Sequence, residues 1–95
     1  MITSIYPVLM STDVPATAAF FRDAFELETV FEADWYVSLR SGTFELAVLD
    51  AVHETIPAGH RTPARGILVN VEVADVDAEY DRLVTRGGAT RMTCR

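Results

Sequence analysis

Hydrophobic residues recur along the chain at two spacings, and the spacings predict strands separated by two helices. Alternation with a period of two is typical of strands with one buried face. The predicted strands span residues 2–10, 28–31, 35–40, 44–49 and 67–73. A helical period of about 3.6 residues fills two of the intervals between them, after residue 10 and after residue 73.

Each predicted helix begins with an aspartate that can accept hydrogen bonds from free backbone amides. The first follows Asp13, and Pro15 stands in its first turn, where a missing N–H is harmless. The second follows Asp75 and is predicted to stop at Gly87. Its helical spacing is expected to bury three side chains, namely Val76, Tyr80 and Leu83.

The strand-helix unit occurs twice. A shift of 62 residues places Ile5 on Ile67 and Asp13 on Asp75. The first copy continues with three short strands, which gives a β-α-β-β-β order, whereas the second reaches Arg95 where its own three strands should begin. We therefore expect an α+β fold of paired βαβββ modules, with the second module incomplete.

The whole chain, residues 1–95, is predicted to be one domain. The first module covers about residues 1–50, a connector covers 51–65, and the partial second module covers 66–95. The missing strands would leave sheet edges unpaired. A second copy of the chain is therefore expected to complete the structure in a homodimer.

Composition and charge exclude several classes of partner and of chemistry. The formal charge of −6 argues against nucleic acid and anionic membranes as partners, because both favour a basic face. No apolar run approaches the roughly 18 residues that cross a bilayer. All eight basic residues are arginine, which excludes lysine Schiff-base and P-loop chemistry. The single cysteine, Cys94, cannot form an internal disulfide, and we expect a cytoplasmic protein.

The duplicated unit, the Thr12-Asp13-Val14 start of the first helix, the adjacent Phe20 and Phe21, and the stretch VEVADVDAEYDRLVTRGG resemble the vicinal oxygen chelate superfamily. This superfamily contains glyoxalases, extradiol dioxygenases, fosfomycin-resistance transferases and bleomycin-resistance proteins. The resemblance implies that the paired modules form a curled mixed sheet around a cleft. One departure is Glu26, which stands where the family commonly has a glycine at the helix end, so the exit turn is expected to differ.

The resemblance also implies where metal ligands would stand. The first-strand positions fall on Tyr6 and Leu68, the meander position of the first module falls near Ala47, and the fourth lies past Arg95. Leucine and alanine side chains have no lone pair to donate. We therefore predict no metal site and no cofactor.

Strand alternation predicts which side chains face the cleft. In residues 67–73 the apolar set that includes Val69 is expected under the helices, and the other set faces the cleft. In residues 35–40 either set can face inward, and we take the more polar one. The predicted ligand-binding residues are Tyr6, Tyr36, Ser38, Arg40, Ala47, Leu49, Leu68, Asn70 and Glu72.

Each of these positions also has a structural interpretation. Tyr6 can be a packing residue, and Asn70 and Glu72 can be solvated on an open sheet face. Trp35 can belong to the core, form a stacking surface or contact a second copy. Arg40 can pair across the hairpin with Glu45.

Both histidines lie in the connector, which has the length of a functional loop. His53, Glu54 and His60 can bind a metal or act as acid and base, but their spacing matches no metal motif and their segment is irregular. We therefore favour exposed or capping roles for them over a metal site.

We expect a protein that binds a small organic ligand by sequestration, similar to bleomycin-resistance proteins, in a metal-free cleft. The rival hypothesis is a metal-dependent enzyme similar to a glyoxalase or a dioxygenase, with ligands from the connector. A third is a truncated product with an incomplete cleft.

Overall fold

The strands and helices follow a β-α-β-β-β order and then a second helix, in a computed structural model that describes residues 1–85. The elements are β1 (Val8–Ser11), α1 (Val14–Phe25), β2 (Glu28–Glu32), β3 (Tyr36–Ser41), β4 (Phe44–Asp50), a 3-10 turn (Ala58–His60) and α2 (Val76–Thr85). No helix among these residues has the length and apolar character needed to cross a membrane.

The four strands form one open mixed sheet in the order β1-β4-β3-β2. β1 runs parallel to β4, as a strand-helix crossover requires, and the other neighbours are antiparallel. The hairpin between β3 and β4 turns at Gly42, whose φ of 59° is favourable only for glycine. The α+β fold and the order of the first module are therefore as predicted.

Helix α1 is capped as its sequence predicts. The Asp13 carboxylate accepts a hydrogen bond from the Ala16 amide at 3.1 Å, and the Ser11 hydroxyl accepts one from the Asp13 amide at 2.9 Å. At the other end Glu26 itself takes the left-handed conformation, with φ 55° and ψ 44°. The expectation of a different exit turn is wrong, because the chain makes the usual turn with a residue for which it costs about 1 kcal/mol.

Helix α1 covers one face of the sheet. The core consists of buried side chains from the helix and from the two central strands, with Phe21 and Leu27 packed against them. Its members are Val14, Ala18, Val37, Leu39 and Val48. Burying a valine or leucine side chain contributes about 1.5 to 3 kcal/mol. The alternate residues of β3 and β4 consequently point to the opposite face, which no helix covers within residues 1–85.

The predicted strand over residues 67–73 does not form within the described part of the chain. The alternation of its two faces is visible only as a difference in side-chain exposure, since Leu68 is 89% and Val69 is 45% exposed. The expectation that Val69 lies under a helix is wrong. Alternation identifies two faces of a segment, but a strand also needs a hydrogen-bonded neighbour, and none of residues 1–85 provides one here.

Strand β1 is also shorter than the predicted 2–10. It begins at Val8, although the Pro7 carbonyl still accepts a hydrogen bond from the Ala47 amide at 3.0 Å. Ile5, expected under the helices, is almost fully exposed. The reason is the same as for residues 67–73, since nothing in residues 1–85 covers its side chain.

Helix α2 is attached to the end of α1 by one arginine. Arg82 donates a hydrogen bond to the Ala24 carbonyl and lies 3.5 Å from a Glu26 carboxylate oxygen. Of the three side chains expected to be buried, only Leu83 is, while Val76 and Tyr80 are partly exposed. The predicted stop at Gly87 lies outside the described residues.

Candidate functional site

The candidate site is the sheet face opposite α1, which we call the open face. Cross-strand register aligns its central row, in which Ala47 lies between Val8 and Ser38, and Ser38 lies opposite Phe31. Tyr6 precedes Val8 by two residues and shares its side by alternation. The open face therefore includes the predicted ligand residues Tyr6, Tyr36, Ser38, Arg40, Ala47 and Leu49, together with Val8, Phe31 and Glu45.

Small buried side chains form the floor of the open face, and larger exposed ones surround them. Ala47 is 0% and Ser38 is 4% exposed, although no helix covers this side. Phe31 is 50% exposed, and Tyr6 and Val8 are also classed as exposed. Small buried side chains beside exposed aromatic ones form a surface that suits one face of an organic molecule.

Four polar side chains of the open face interact with one another, namely Ser38, Glu45, Tyr36 and Tyr6. The Ser38 hydroxyl donates a hydrogen bond to Glu45 Oε2 at 2.9 Å. Burial raises the pKa of Tyr36 to about 12, with further contributions from a hydrogen bond to Tyr6 and from the nearby charges of Tyr6 and Glu45. Tyr36 is a neutral phenol at physiological pH, as tyrosine ordinarily is, and the raised pKa extends that state to higher pH. The open face therefore presents hydroxyl groups and a carboxylate at fixed positions.

The register gives the position of Tyr36 relative to this cluster. Tyr36 lies opposite Leu49, whereas Ser38 lies opposite Ala47, one step closer to Glu45 along β4. Tyr6 and Glu45 both contribute to the raised pKa of Tyr36, so the three side chains lie near one another although Tyr36 and Glu45 are two rows apart in the register. The row between them holds the small residues Ser38 and Ala47.

An aromatic row extends from the open face to the connector. The ring centroids of Phe31 and Tyr36 are 6.0 Å apart, and those of Tyr36 and Trp35 are 5.6 Å apart. Trp35 then stacks on His53 at 4.2 Å with an interplanar angle of 14°. Trp35 lies outside the core cluster, so its interpretation as a core residue is wrong. Its roles as a stacking surface or as a contact with a second copy stay predictions.

Arg40 does not pair with Glu45, its cross-strand neighbour. Its Nη2 atom lies 2.6 Å from Glu28 Oε1, on the next strand of the sheet. The interpretation of an Arg40–Glu45 pair across the hairpin is therefore wrong. Glu45 is turned toward Ser38 instead, where it accepts the hydroxyl hydrogen bond.

The remaining predicted ligand residues, Leu68, Asn70 and Glu72, lie in the exposed segment 67–73. Within residues 1–85 no hydrogen bond or ion pair links Asn70 or Glu72 to the open face. Their role in ligand binding stays a prediction, which depends on whether this segment acquires a neighbour.

Sequence reasoning missed Phe31 as an open-face residue. Simple alternation from Glu28 would turn residue 31 toward the helix, but the register of β2 shifts between Thr29 and Phe31. This bulge brings Phe31 opposite Ser38. The sequence TVF carries no glycine or proline that would signal the bulge. Glu45, by contrast, shares the alternation of Ala47 and could have been included.

The residues do not fit the metal that the resemblance implies. Ala47 is buried in the floor and Leu68 is exposed, and neither has a donor atom. Among residues 1–85 no three His, Cys, Asp or Glu side chains converge as a metal group. His53 is engaged otherwise, because its Nδ1 accepts a hydrogen bond from the Thr55 amide at 3.2 Å and its ring stacks on Trp35. Cys94 lies outside the described residues.

Solved structures similar to this chain include proteins of different activities. The bleomycin-binding protein from Streptomyces verticillus, solved with copper(II)-bleomycin, is 25% identical with a TM-score of 0.58, over 90% of this chain and 64% of that one. The lactoylglutathione lyase from Agrobacterium tumefaciens is 23% identical with a TM-score of 0.61, over 90% and 71%. A glyoxalase/bleomycin resistance protein/dioxygenase from Nocardioides is 23% identical with a TM-score of 0.67, over 92% and 64%.

These likenesses establish the fold rather than a reaction, and the chain spans under two thirds of the length of the bleomycin-binding protein. Comparison with proteins of curated function gives no significant match. The sequence profile of one family matches residues 4–94, nearly the entire chain. The resemblance inferred from the repeat is thereby confirmed, and the chain belongs to the Glyoxalase/Bleomycin resistance protein/Dioxygenase superfamily.

Proposed function

We propose that the protein binds a small organic molecule on the open face and sequesters it without making or breaking a bond. The observation that carries the proposal is the exposed aromatic rim around the Ser38–Ala47 floor, with the hydroxyl groups of Tyr6 and Tyr36 beside it. Binding sites of this kind combine a mainly apolar lining with a few fixed polar groups.

Contact energies favour a ligand with an aromatic or flat apolar part. Offset or edge-to-face aromatic contacts contribute about 0.5 to 1.5 kcal/mol each beyond their buried area. Phe31 and Tyr36 already lie within contact distance of each other, so a ligand ring beside them would extend an existing arrangement. The polar groups would fix its orientation, since Tyr36 remains protonated and Glu45 is held by Ser38.

We further propose that a second copy of the chain closes the site in a homodimer. The apolar side chains of residues 67–73 and of residues 1–5 are exposed, and the outer edge of β1 has no strand beside it within residues 1–85. Surfaces of this kind are typically covered by a partner. Light scattering during gel filtration should give twice the chain mass at micromolar concentration, and a monomer at every concentration would contradict this part of the proposal.

The first probe is bleomycin, because a similar structure contains it, together with a panel of aromatic fragments. We expect binding of at least one probe by isothermal titration calorimetry or by NMR. Phe31→Ala should weaken that binding about tenfold, since it removes an aromatic contact at the rim. Phe44→Ala is the matched control, because Phe44 is an exposed phenylalanine on the helix side of the sheet.

Two results would contradict the proposal. If neither bleomycin nor any fragment binds, the proposed binding function is wrong. Equal losses from Phe31→Ala and Phe44→Ala would mean that the ligand does not contact the open face.

A further inference from the structure

One carboxylate on the open face forms no ion pair within residues 1–85. Glu28, Arg40 and Glu45 lie side by side across three strands, and the arginine bonds to Glu28 at 2.6 Å. Within those residues Glu45 is hydrogen-bonded only to the Ser38 hydroxyl. In the part of the chain that the structure describes, a negative charge without an ion-pair partner therefore lies next to the aromatic rim.

The geometry of Glu45 leaves one carboxylate oxygen available to a ligand. Ser38 holds Oε2 at 2.9 Å, and Oε1 has no hydrogen bond within the described residues. The hydroxyl is itself fixed, because Ser38 is almost fully buried in the central strand β3. The carboxylate is thus oriented before a ligand arrives, which lowers the entropy cost of binding.

The surrounding rings have the electrostatic character that attracts cations. The faces of aromatic rings are negative, and a cation within about 6 Å of a ring centroid is stabilised by about 0.5 to 2 kcal/mol. Tyr6 and Phe31 are exposed on this face, and Tyr36 keeps its proton and adds no charge of its own. The net charge of −6 also enriches cations around the protein.

We propose that the ligand of the open face is an organic cation, with an ammonium or amidinium group on Glu45 and an apolar part against Phe31 and Tyr36. The inference rests on the proposed binding function and specifies the chemical class of the ligand. A neutral molecule would leave the Glu45 charge uncompensated, and a carboxylate or phosphate would be repelled by it.

Three probes of nearly equal shape test the inference, namely benzylammonium, benzyl alcohol and benzoate. Dissociation constants come from amide chemical shifts in NMR titrations at low salt. We expect benzylammonium to bind at least about fivefold more tightly than benzyl alcohol, and benzoate to bind most weakly. Added sodium chloride should reduce the preference for the cation, because salt screens an exposed charge pair.

The variant Glu45→Gln tests whether Glu45 is responsible for the preference for a cationic ligand. Glutamine keeps an oxygen that can accept the Ser38 hydrogen bond while removing the charge, so the cation preference should disappear and benzylammonium should bind no more tightly than benzyl alcohol. The control is Asp81→Asn on α2, which removes the same charge from an exposed position away from the open face. This variant should retain the preference.

The outcomes separate this inference from the function on which it rests. Equal binding of benzylammonium and benzyl alcohol, or a cation preference that survives Glu45→Gln, would overturn the inference and leave ligand binding intact. If none of the three probes binds, and bleomycin and the fragment panel also fail, then both the inference and the proposed function are wrong.

Discussion

The indole ring of Trp35 and the imidazole ring of His53 are stacked, with centroids 4.2 Å apart and planes inclined by 14°. The contact joins the residue before β3 to the connector that follows β4. The Asp50 amide strengthens the same junction by donating a hydrogen bond to the Trp35 carbonyl at 2.9 Å. One end of the connector is thereby held beside the aromatic row of the open face.

Removing the imidazole should expose the indole. His53→Ala is expected to shift the fluorescence emission of Trp35, the only tryptophan, to longer wavelength and to cost about 0.5 kcal/mol of unfolding free energy, as for a partly exposed aromatic pair. His60→Ala is the control, because His60 is exposed in the 3-10 turn and contacts no ring. Identical spectra for the wild type and His53→Ala would contradict the stack.

The phenol of Tyr36 should lose its proton at a higher pH than an ordinary tyrosine. Its pKa is raised to about 12 from the usual 10.0, first by burial and then by Tyr6. Folding therefore favours the protonated phenol, and its contribution to stability is complete below about pH 10 and is lost as the pH rises toward about 12. Absorbance at the tyrosinate band, compared with Tyr36→Phe, isolates this group.

Tyr6→Phe removes the hydroxyl that interacts with Tyr36. We expect the pKa of Tyr36 to fall toward its usual value in this variant, while burial keeps it somewhat raised. A pKa of Tyr36 unchanged by Tyr6→Phe would show that the two phenols do not interact.

The left-handed turn at the end of α1 can be improved. Glu26→Gly should raise the free energy of unfolding by up to about 1 kcal/mol, because glycine adopts a φ of 55° without strain. The lost ion pair with Arg82 costs little, since Glu26 is well exposed. Glu26→Ala removes the same carboxylate and keeps the strain, so chemical denaturation should rank it below Glu26→Gly. Equal stabilities of the two variants would refute the strain argument.

Substitutions in the core and in the exposed segment 67–73 should differ in their cost in unfolding free energy. Leu39→Ala empties a fully buried position under α1 and is expected to cost about 2 to 5 kcal/mol. Val69→Ala should cost under about 0.5 kcal/mol in the monomer, because Val69 is about half exposed. A larger loss for Val69→Ala that grows with protein concentration would indicate that a second copy covers residues 67–73.

Sequence patterns predicted the elements whose signals are local. Asp13 and Pro15 mark the start of α1, and the alternation of Phe44 to Leu49 gives the two faces of β4. The predictions that were wrong concern features that depend on residues outside the segment itself. The strand at residues 67–73 lacks a ladder partner among residues 1–85, and Arg40 had two carboxylates within reach, between which sequence cannot choose.

The candidate site was predicted in part for the same reason. Alternation identified Tyr36 and Ser38 as one set of β3, but it does not predict the interaction of Tyr36 with Tyr6 and Glu45 across the strands. The bulge that turns Phe31 toward this face has no marker in the sequence. The stack of His53 lies in an irregular connector, where no period exists to guide a prediction.

The most direct test of the account is an NMR titration of the isotope-labelled protein with benzylammonium, with the amide of every residue followed. The account predicts shifts that saturate and that concentrate at Phe31, Ser38, Glu45 and Ala47, with little change along Val14–Phe25 of α1. Saturating shifts centred on α1 or on the connector, with the amides of β3 and β4 unmoved, would contradict the claim that the open face binds the ligand.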